Sequence, residues 1–412
     1  MTATAEYTVD TVVVGLGAMG AQTLWRLAQR GVDVLGIDAF DPGHAHGSSH
    51  GESRIIRTAY LEGTAYVPLA QAAWKGWDEL GRESETQVAR RCGSVMIGPP
   101  DSRVVSGAAE SARQHELAHR RYTPAQLSAE FPGHVVVKNE EGLYEGDGGV
   151  VFPETAIRAA VRLAQYNGAR VWTGTRVRGI IPDASQPRVW VTDREGSAAG
   201  TGDRAPTDGA AREQTIRARC VVVTAGAWLP QLLPDLARRL GGLGVERRVL
   251  AWFPVTEPDW HDPEHTPVFV RAESDGTAWY GFPSLDGGRT VKIGVHADGA
   301  SGPGVQRGER VDPDIGPRPA DAADAQRLAR LAERLRGIDP TPSRLTTCMY
   351  TMTQDQHFLI GPHPRVPGLL LGGGFSGHGY KFASAVGRAL ADLAQQGTTT
   401  VPIHPFRPDR LG

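Results

Sequence analysis

Gly15-Leu16-Gly17-Ala18-Met19-Gly20 closes an apolar run and opens a stretch of helix formers, the setting in which this spacing can hold a pyrophosphate. Gly15 permits the tight turn, Gly17 lets backbone approach the phosphates, and Gly20 lets the helix pack on a sheet. The helix N-terminus then presents unpaired N–H groups and partial positive charge to the anion. Asp38 lies 38 − 20 = 18 residues past the last glycine, where a carboxylate can accept from both hydroxyls of an adenosine ribose and repel a 2′-phosphate. The pattern predicts a dinucleotide site without separating NAD from FAD.

Two further stretches carry reactive side chains. Gly47-Ser48-Ser49-His50-Gly51-Glu52-Ser53-Arg54-Ile55-Ile56-Arg57 sets two arginines 57 − 54 = 3 apart. Spacing alone fits a solvated basic loop about as well as a site. The Ile55-Ile56 pair between the arginines argues for burial, and a buried guanidinium needs an anionic partner. Near the C-terminus, Gly372-Gly373-Gly374-Phe375-Ser376-Gly377-His378-Gly379-Tyr380-Lys381-Phe382 repeats the order of strand, glycine turn and helix. It places N–H groups and a helix start against an electron-rich ligand edge, such as the pyrimidine side of a reduced flavin. Only Lys75, Lys138, Lys292 and Lys381 are lysine among 44 basic residues, leaving 44 − 4 = 40 arginines. Where composition drives Lys towards Arg, each surviving lysine is a candidate for a task that guanidinium performs poorly.

These residues need elements to hold them. Thr8 to Val14 and Val32 to Ile37 read as buried strands around a helix from Ala18 to Arg30, a β-α-β unit that begins a parallel sheet. Helices are expected over Thr64 to Arg82, Glu110 to His119, Pro153 to Asn167, Ala325 to Gly337 and Lys381 to Gln396. Strands are expected over Arg170 to Trp172, Cys220 to Ala225 and Gly368 to Gly374. Alternation from Val245 to Val295 predicts an antiparallel sheet. Asp193 to Thr215 reads as a polar insert looping out between strands, and Ser301 to Asp324 as a Gly/Pro-rich loop. A parallel sheet resumed after each interruption implies two domains interleaved in sequence.

The 412 residues suffice for a sizeable core, and 40% apolar with 22% charged content is ordinary for a globular chain. A net charge of −2 gives no reason to expect nucleic acid or an anionic membrane as partner. No apolar run reaches the roughly 18 residues of a membrane span. The start, MTATAEYTVD, lacks the basic region of a signal peptide. Cys92, Cys220 and Cys348 are too few and too scattered for a disulfide framework, so a cytoplasmic location is the expectation.

GLGAMG, HGESRIIR, WYGFP, VKIGVH, CMYTMT, DQHFLIGPHP and GFSGHGYKF occur in the order in which the monomeric sarcosine oxidase and N-methyltryptophan oxidase family carries its motifs. The chain resembles that family from the first strand to nearly the last residue. The resemblance implies an α/β fold: a glutathione-reductase-like, FAD-binding Rossmann domain (1–92, 150–243 and 350–412) interleaved with an antiparallel-sheet substrate domain (93–149 and 244–349). It implies FAD attached through Cys348, whereas Cys220, inside a strand, reads as a small buried apolar side chain. Gly15, Gly17, Gly20, Asp38, Gly377 and Gly379 would hold the cofactor, with His50 and Arg54 beside the flavin. Arg57 and Lys381 match the pair that clamps a substrate carboxylate, and Lys292 the lysine that speeds reduction of dioxygen. Tyr280, His296 and Tyr350 match the lining of the substrate cavity; packing alone is the competing account of each.

The activity implied is oxidation of the C–N bond of a secondary amino acid, N-methyl or cyclic, to an imine, with dioxygen reduced to hydrogen peroxide. The partners implied are a small amino acid with a free carboxylate and dioxygen; the protein would be a monomer and need no metal. Alternatives are an imine-forming oxidase of a cyclic amino acid in natural-product biosynthesis and an FAD dehydrogenase with a protein electron acceptor. Thr58, Ser53 and Glu52 depart from the family's usual His, Thr and Asp, which leaves the substrate's identity open.

Overall fold

In the computed structural model the described residues are 7–182, 187–193, 213–297 and 308–411. Most of the insert expected to loop out, 194–212, and the start of the expected Gly/Pro-rich loop, 301–307, lie outside them. Two 8-stranded sheets and a small 3-stranded one make up the β structure of the described residues.

The first sheet is built on Tyr7–Val14, whose Val12, Val13 and Val14 are fully or almost fully buried. This strand runs parallel to Glu213–Val223 on one side and to Val34–Ile37 on the other. Leu369–Gly373 and Arg170–Trp172 extend the parallel run at either end. A parallel strand is covered on both faces, which is why these segments read as continuous apolar runs. Helix Ala18–Gln29 packs on this sheet between helices Pro153–Tyr166 and Ala383–Gln396. Its Leu24, Trp25 and Leu27 are completely buried.

The second sheet orders the strands Arg344–Met352, Gly244–Pro254, Thr290–Ala297, Ala278–Gly281, Val268–Ala272, Ser94–Gly98, Glu141–Glu145 and Arg120–Tyr122. Its neighbours are antiparallel except Val268–Ala272 with Ser94–Gly98, which run parallel. Within the stretch expected to be antiparallel every pair is so; the parallel pair arises where a strand from the early part of the chain joins strands from the later part. Arg344–Met352 continues beyond residue 349 because its ladder with Gly244–Pro254 runs on to the pair Met352 and Gly244.

Two helices start earlier than the apolar pattern suggests, and caps explain both. Ser102 accepts from Val105 N–H and starts a helix at Arg103, which ends at Gln114. Asp321 and Asp324 form a capping box, so the Arg-rich helix runs Ala322–Ala332. Among the described residues no helix is long and apolar enough to cross a membrane.

Candidate functional site

One continuous cavity of about 830 Å³ runs between the two large sheets, within the roughly 300–1,000 Å³ usual for small-molecule sites. At one end its wall is the first glycine turn. Gly15 has φ of +88°, and a Cβ there would lie 2.8 Å from Thr224 O. A Cβ on Gly20 would lie 1.8 Å from Gly15 O, so the helix can pack this closely only on glycine. A Cβ on Gly17 would meet only Ser49 Oγ, at 3.6 Å. Gly15 and Gly17 line the cavity, and Gly20 lies behind them.

Asp38 lines the same end and braces the turn, accepting from Leu16 N–H at 2.7 Å and Phe40 N–H at 2.9 Å. Burial raises its carboxyl to about 6, the N–H bonds offsetting part of that rise. Each oxygen keeps a second acceptor position for a ligand hydroxyl.

The segment from His50 to Arg57 leaves this end and becomes the short strand Arg54–Ile56, paired with Gly149–Val151. Arg54 lines the cavity while donating to Ser53 O and Ser48 O, both at 2.8 Å. His50 is buried, and its Nε2 has no hydrogen-bond partner among the described residues. Burial, with Arg54 nearby, takes its imidazole down to about 4, so it stays neutral at physiological pH. Arg57 is buried, and its anionic partner is a residue the sequence reading passed over. Its Nη2 meets Glu62 Oε2 at 2.8 Å, and its Nη1 donates to Ala59 O at 3.0 Å. The expectation that this guanidinium is buried and has an anionic partner therefore holds, and the partner is a residue of the chain itself.

At the other end of the cavity Lys381 sits in a 3-10 turn, Tyr380–Phe382, just ahead of helix Ala383–Gln396. Its Nζ donates to His378 O at 2.8 Å and Tyr60 Oη at 3.2 Å. Arg57 lies over the face of the same Tyr60, 4.3 Å from its centroid, so one phenol separates the two cations. Burial, then Arg57, lowers the Lys381 ammonium to about 7. Burial alone would raise the Glu62 carboxyl, but Arg57, His378, His296 and Lys381 outweigh it and hold Glu62 well below the usual carboxylate range. His296 Nε2 stands 3.7 Å from Glu62 Oε1, and burial takes this imidazole down to about 4.

Cys348 and Tyr350, two apart on strand Arg344–Met352, both line the cavity. Burial pushes the Cys348 thiol up, against the pull of Arg54, Arg248 and Lys292. Arg248 lies over the Tyr350 ring at 4.9 Å. Tyr280 and His296 line the cavity from strands Ala278–Gly281 and Thr290–Ala297 of the same sheet. Gly377, with φ of +84°, lets the C-terminal turn close on Tyr350, since a Cβ there would lie 2.1 Å from that ring. Gly379 gives the same room to Phe375.

Lys292 is not among the lining residues. It is buried, donates to Gly51 O and Ser53 O at 2.7 Å each, and lies 4.2 Å from the Phe282 ring centroid. Burial, then the Arg54 charge, lowers its ammonium well below the ordinary lysine range. The structure therefore gathers Gly15, Gly17, Asp38, Arg54, Arg57, Tyr280, His296, Cys348, Tyr350, Gly377, Gly379 and Lys381 on one wall system. Gly20, His50 and Lys292 stand directly behind it. Glu62 was findable as the acidic residue five positions past Arg57; His378 lay inside a motif already singled out, but nothing in its spacing marked a role.

Comparison with known proteins agrees with this geometry. Residues 10–393 match the FAD dependent oxidoreductase family. Over 408 residues the chain is 36% identical to the monomeric sarcosine oxidase of Streptomyces avermitilis, covering 98% of each chain. Over 402 residues it is 31% identical to the N-methyl-L-tryptophan oxidase of Citrobacter koseri, covering 98% of this chain and 99% of that one. Among solved structures, NikD, an unusual amino acid oxidase essential for nikkomycin biosynthesis, superposes with a TM-score of 0.78 at 24% identity, covering 98% of each chain. Glycine oxidase from Geobacillus kaustophilus gives 0.73 at 20%, covering 97% of this chain and 98% of that one. At those identities the likeness to the two structures is one of fold.

The residues present fit FAD. The open face of Gly17 leaves room for phosphate against a helix start. At the far end Thr351 lines the cavity, and its buried Oγ1 has no partner among the described residues; buried polar groups are ordinarily satisfied, which a ligand seated there can do.

Proposed function

The chain belongs to the FAD dependent oxidoreductase family, in the branch of monomeric sarcosine oxidases and N-methyl-L-tryptophan oxidases, and on that premise we propose that it oxidises the C–N bond of a secondary amino acid. The amino acid is N-methylated or cyclic, the product is an imine, and the two electrons and two protons removed reduce dioxygen to hydrogen peroxide. The observation that carries this reading is the pair Arg57 and Lys381, set on either side of Tyr60 in the cavity that also holds Cys348 and Gly17.

Gly15, Gly17 and Asp38 hold the dinucleotide half of FAD, Gly20 sets the helix behind them, and Gly377 and Gly379 shape the turn at its other end. Cys348 is the attachment point. The FAD-binding domain comprises about 1–92, 150–243 and 350–412, and the substrate domain about 93–149 and 244–349. FAD, when bound, supplies a two-electron acceptor that dioxygen can restore.

Arg57 and Lys381 grip the substrate carboxylate at two points, a fork on one side and a point charge on the other. Two points fix the direction of the neighbouring C–H bond, which is the orientation that oxidation requires. His296 and Tyr350, with Tyr280, wall the amine; neutral His296 accepts a hydrogen bond without adding charge. Lys292 behind the Gly51–Ser53 turn places positive charge where dioxygen gains electrons, and Arg54 and neutral His50 stand beside the same region.

Denaturing the purified protein in acid and recording the spectrum tests the attachment: a yellow pellet supports Cys348, and a colourless one removes that assignment. Peroxide release from sarcosine, N-methyltryptophan, pipecolate and proline tests the reaction. Flavin bleaching by one of these without peroxide would replace the oxidase by a dehydrogenase.

A further inference from the structure

The segment that carries His50, Arg54 and Arg57 is held at both ends by carboxylates to which no function has been given. Glu154 stands in the first turn of helix Pro153–Tyr166, a helix with no side-chain cap of its own. It reaches instead to the early end of the segment. Its Oε1 accepts from Gly51 N–H at 2.7 Å and Glu52 N–H at 3.1 Å, and its Oε2 from Glu52 N–H at 3.2 Å. Gly51 and Glu52 have φ of +95° and +71°, a turn in which adjacent N–H groups converge on one anion. The same turn points two carbonyls the other way, Gly51 O and Ser53 O, and both take a hydrogen bond from Lys292 Nζ. Left-handed backbone at Glu52 is unfavourable for a side chain other than glycine's, so something must hold it. Glu154 does so on the amide side, and Trp252 Nε1 and Arg344 bind the Glu52 carboxylate.

The late end has a matching arrangement. Glu145, only 1% exposed, closes strand Glu141–Glu145. Its two oxygens accept from Thr58 N–H at 2.8 Å and Ala59 N–H at 2.7 Å, and Ser94 Oγ donates to it at 3.1 Å. These amides directly follow Arg57, whose guanidinium donates to Ala59 O. Ala59 is thus fixed through its N–H by Glu145 while its C=O orients Arg57.

We propose that Glu145 and Glu154 are positioning residues with separate duties: Glu154 sets Lys292 through the Gly51–Ser53 turn, and Glu145 sets Arg57 through Thr58 and Ala59. The inference rests on the roles given above to Lys292 and Arg57. Each carboxylate binds backbone that binds the acting cation, so its loss displaces that cation without removing it.

Two measurements on the holoenzyme separate the duties and need no knowledge of the substrate. One is the rate of reoxidation when dithionite-reduced protein is mixed with oxygenated buffer. The other is the Kd for acetate, read from the visible spectrum of the oxidised flavin. Glu154→Ala should slow reoxidation about 10-fold and leave the acetate Kd within about 2-fold, as for a displaced catalytic group. Glu154→Gln, which keeps an acceptor oxygen for both amides, should recover most of the rate; a rate as slow as that of Glu154→Ala would mean action through charge and overturn positioning. Glu145→Gln, which loses one of the paired acceptors, should raise the acetate Kd about 10-fold with reoxidation within about 2-fold.

Amide hydrogen exchange supplies a readout independent of turnover. Exchange should quicken at 51–52 in the Glu154 variants and at 58–59 in Glu145→Gln, with the rest of the chain unchanged. Should Glu145→Gln fail to fold, Ser94→Ala loosens the same carboxylate and should still raise the acetate Kd; no rise overturns the late-end duty. Lys292→Met and Arg57→Met are the benchmarks. If they move their own measurement and the carboxylate variants do not, or if both measurements move together, the division of duties is wrong. If the benchmarks move nothing, the functional reading of the site falls, and this inference with it.

Discussion

The protein contains two glycine-rich turns that each follow a strand of the parallel sheet and lead towards a helix, yet they do different things. In the first, helix Ala18–Gln29 starts immediately after Gly17, so the cavity meets bare backbone: N–H groups, a helix start and the open face of one glycine. In the second, Gly374–Gly379 and a 3-10 turn intervene before helix Ala383–Gln396, and the cavity meets side chains, His378 and Lys381 above all. A backbone cradle suits a ligand part that is the same in every turnover. Side chains on a longer turn can be exchanged without disturbing the fold, which suits the part of the site that must choose.

The comparison makes predictions of graded size. Gly20→Val should fail to give soluble flavoprotein, because its Cβ would overlap Gly15 O at 1.8 Å and overpacking against backbone costs about 3 kcal/mol or more; expression yield and flavin content measure it. At the second turn, Lys381→Met should leave thermal unfolding nearly unchanged while weakening acetate binding about 100-fold, the loss expected from removing a buried charge that meets an anion.

A smaller, pH-dependent effect belongs to the same lysine. With its ammonium lowered to about 7 by burial and Arg57, the charged form that an anion needs is present below that pH and lost above it. Acetate affinity should therefore fall as pH rises through 7, approaching a tenfold loss per unit; Lys381→Met should flatten the profile. A profile in Lys381→Met identical to the parent's would assign the titration elsewhere. The smallest expected change is in the stability of Gly17→Ala, where the added methyl meets only Ser49 Oγ. Its melting temperature should hold while a smaller fraction of the purified protein carries flavin, and the reverse pattern would erase the contrast between the two turns.

Sequence legibility follows the same division. The first turn could be read glycine by glycine, because its function is a backbone requirement with a fixed spacing, and the collisions at Gly15 and Gly20 are the ones the spacing implies. The parallel strands were legible for a related reason: burial on both faces leaves a continuous apolar run. Helix starts at Arg103 and Ala322 were not, since Ser102 and Asp321 act as caps from polar stretches that carry no periodic signal. The ion pair of Arg57 with Glu62 was missed because spacing identifies which residues are near in sequence, not which one turns inward to neutralise another. Glu145 and Glu154 were invisible for a deeper reason. Each binds amides 87 and 103 positions away, respectively, and a carboxylate serving distant backbone looks in sequence like any surface acid.

The strand Arg344–Met352 belongs to the second sheet, whereas the first glycine turn belongs to the parallel one. The FAD attachment proposed at Cys348, with the cofactor seated on Gly17, would therefore be a rivet through two halves of the molecule. Loaded protein should melt in one transition, with the halves unable to part before the cofactor lets go. Replacing that sulfur with Cys348→Ser would cut the rivet while leaving both seats in place, and any hinge motion the halves possess should emerge in that variant first.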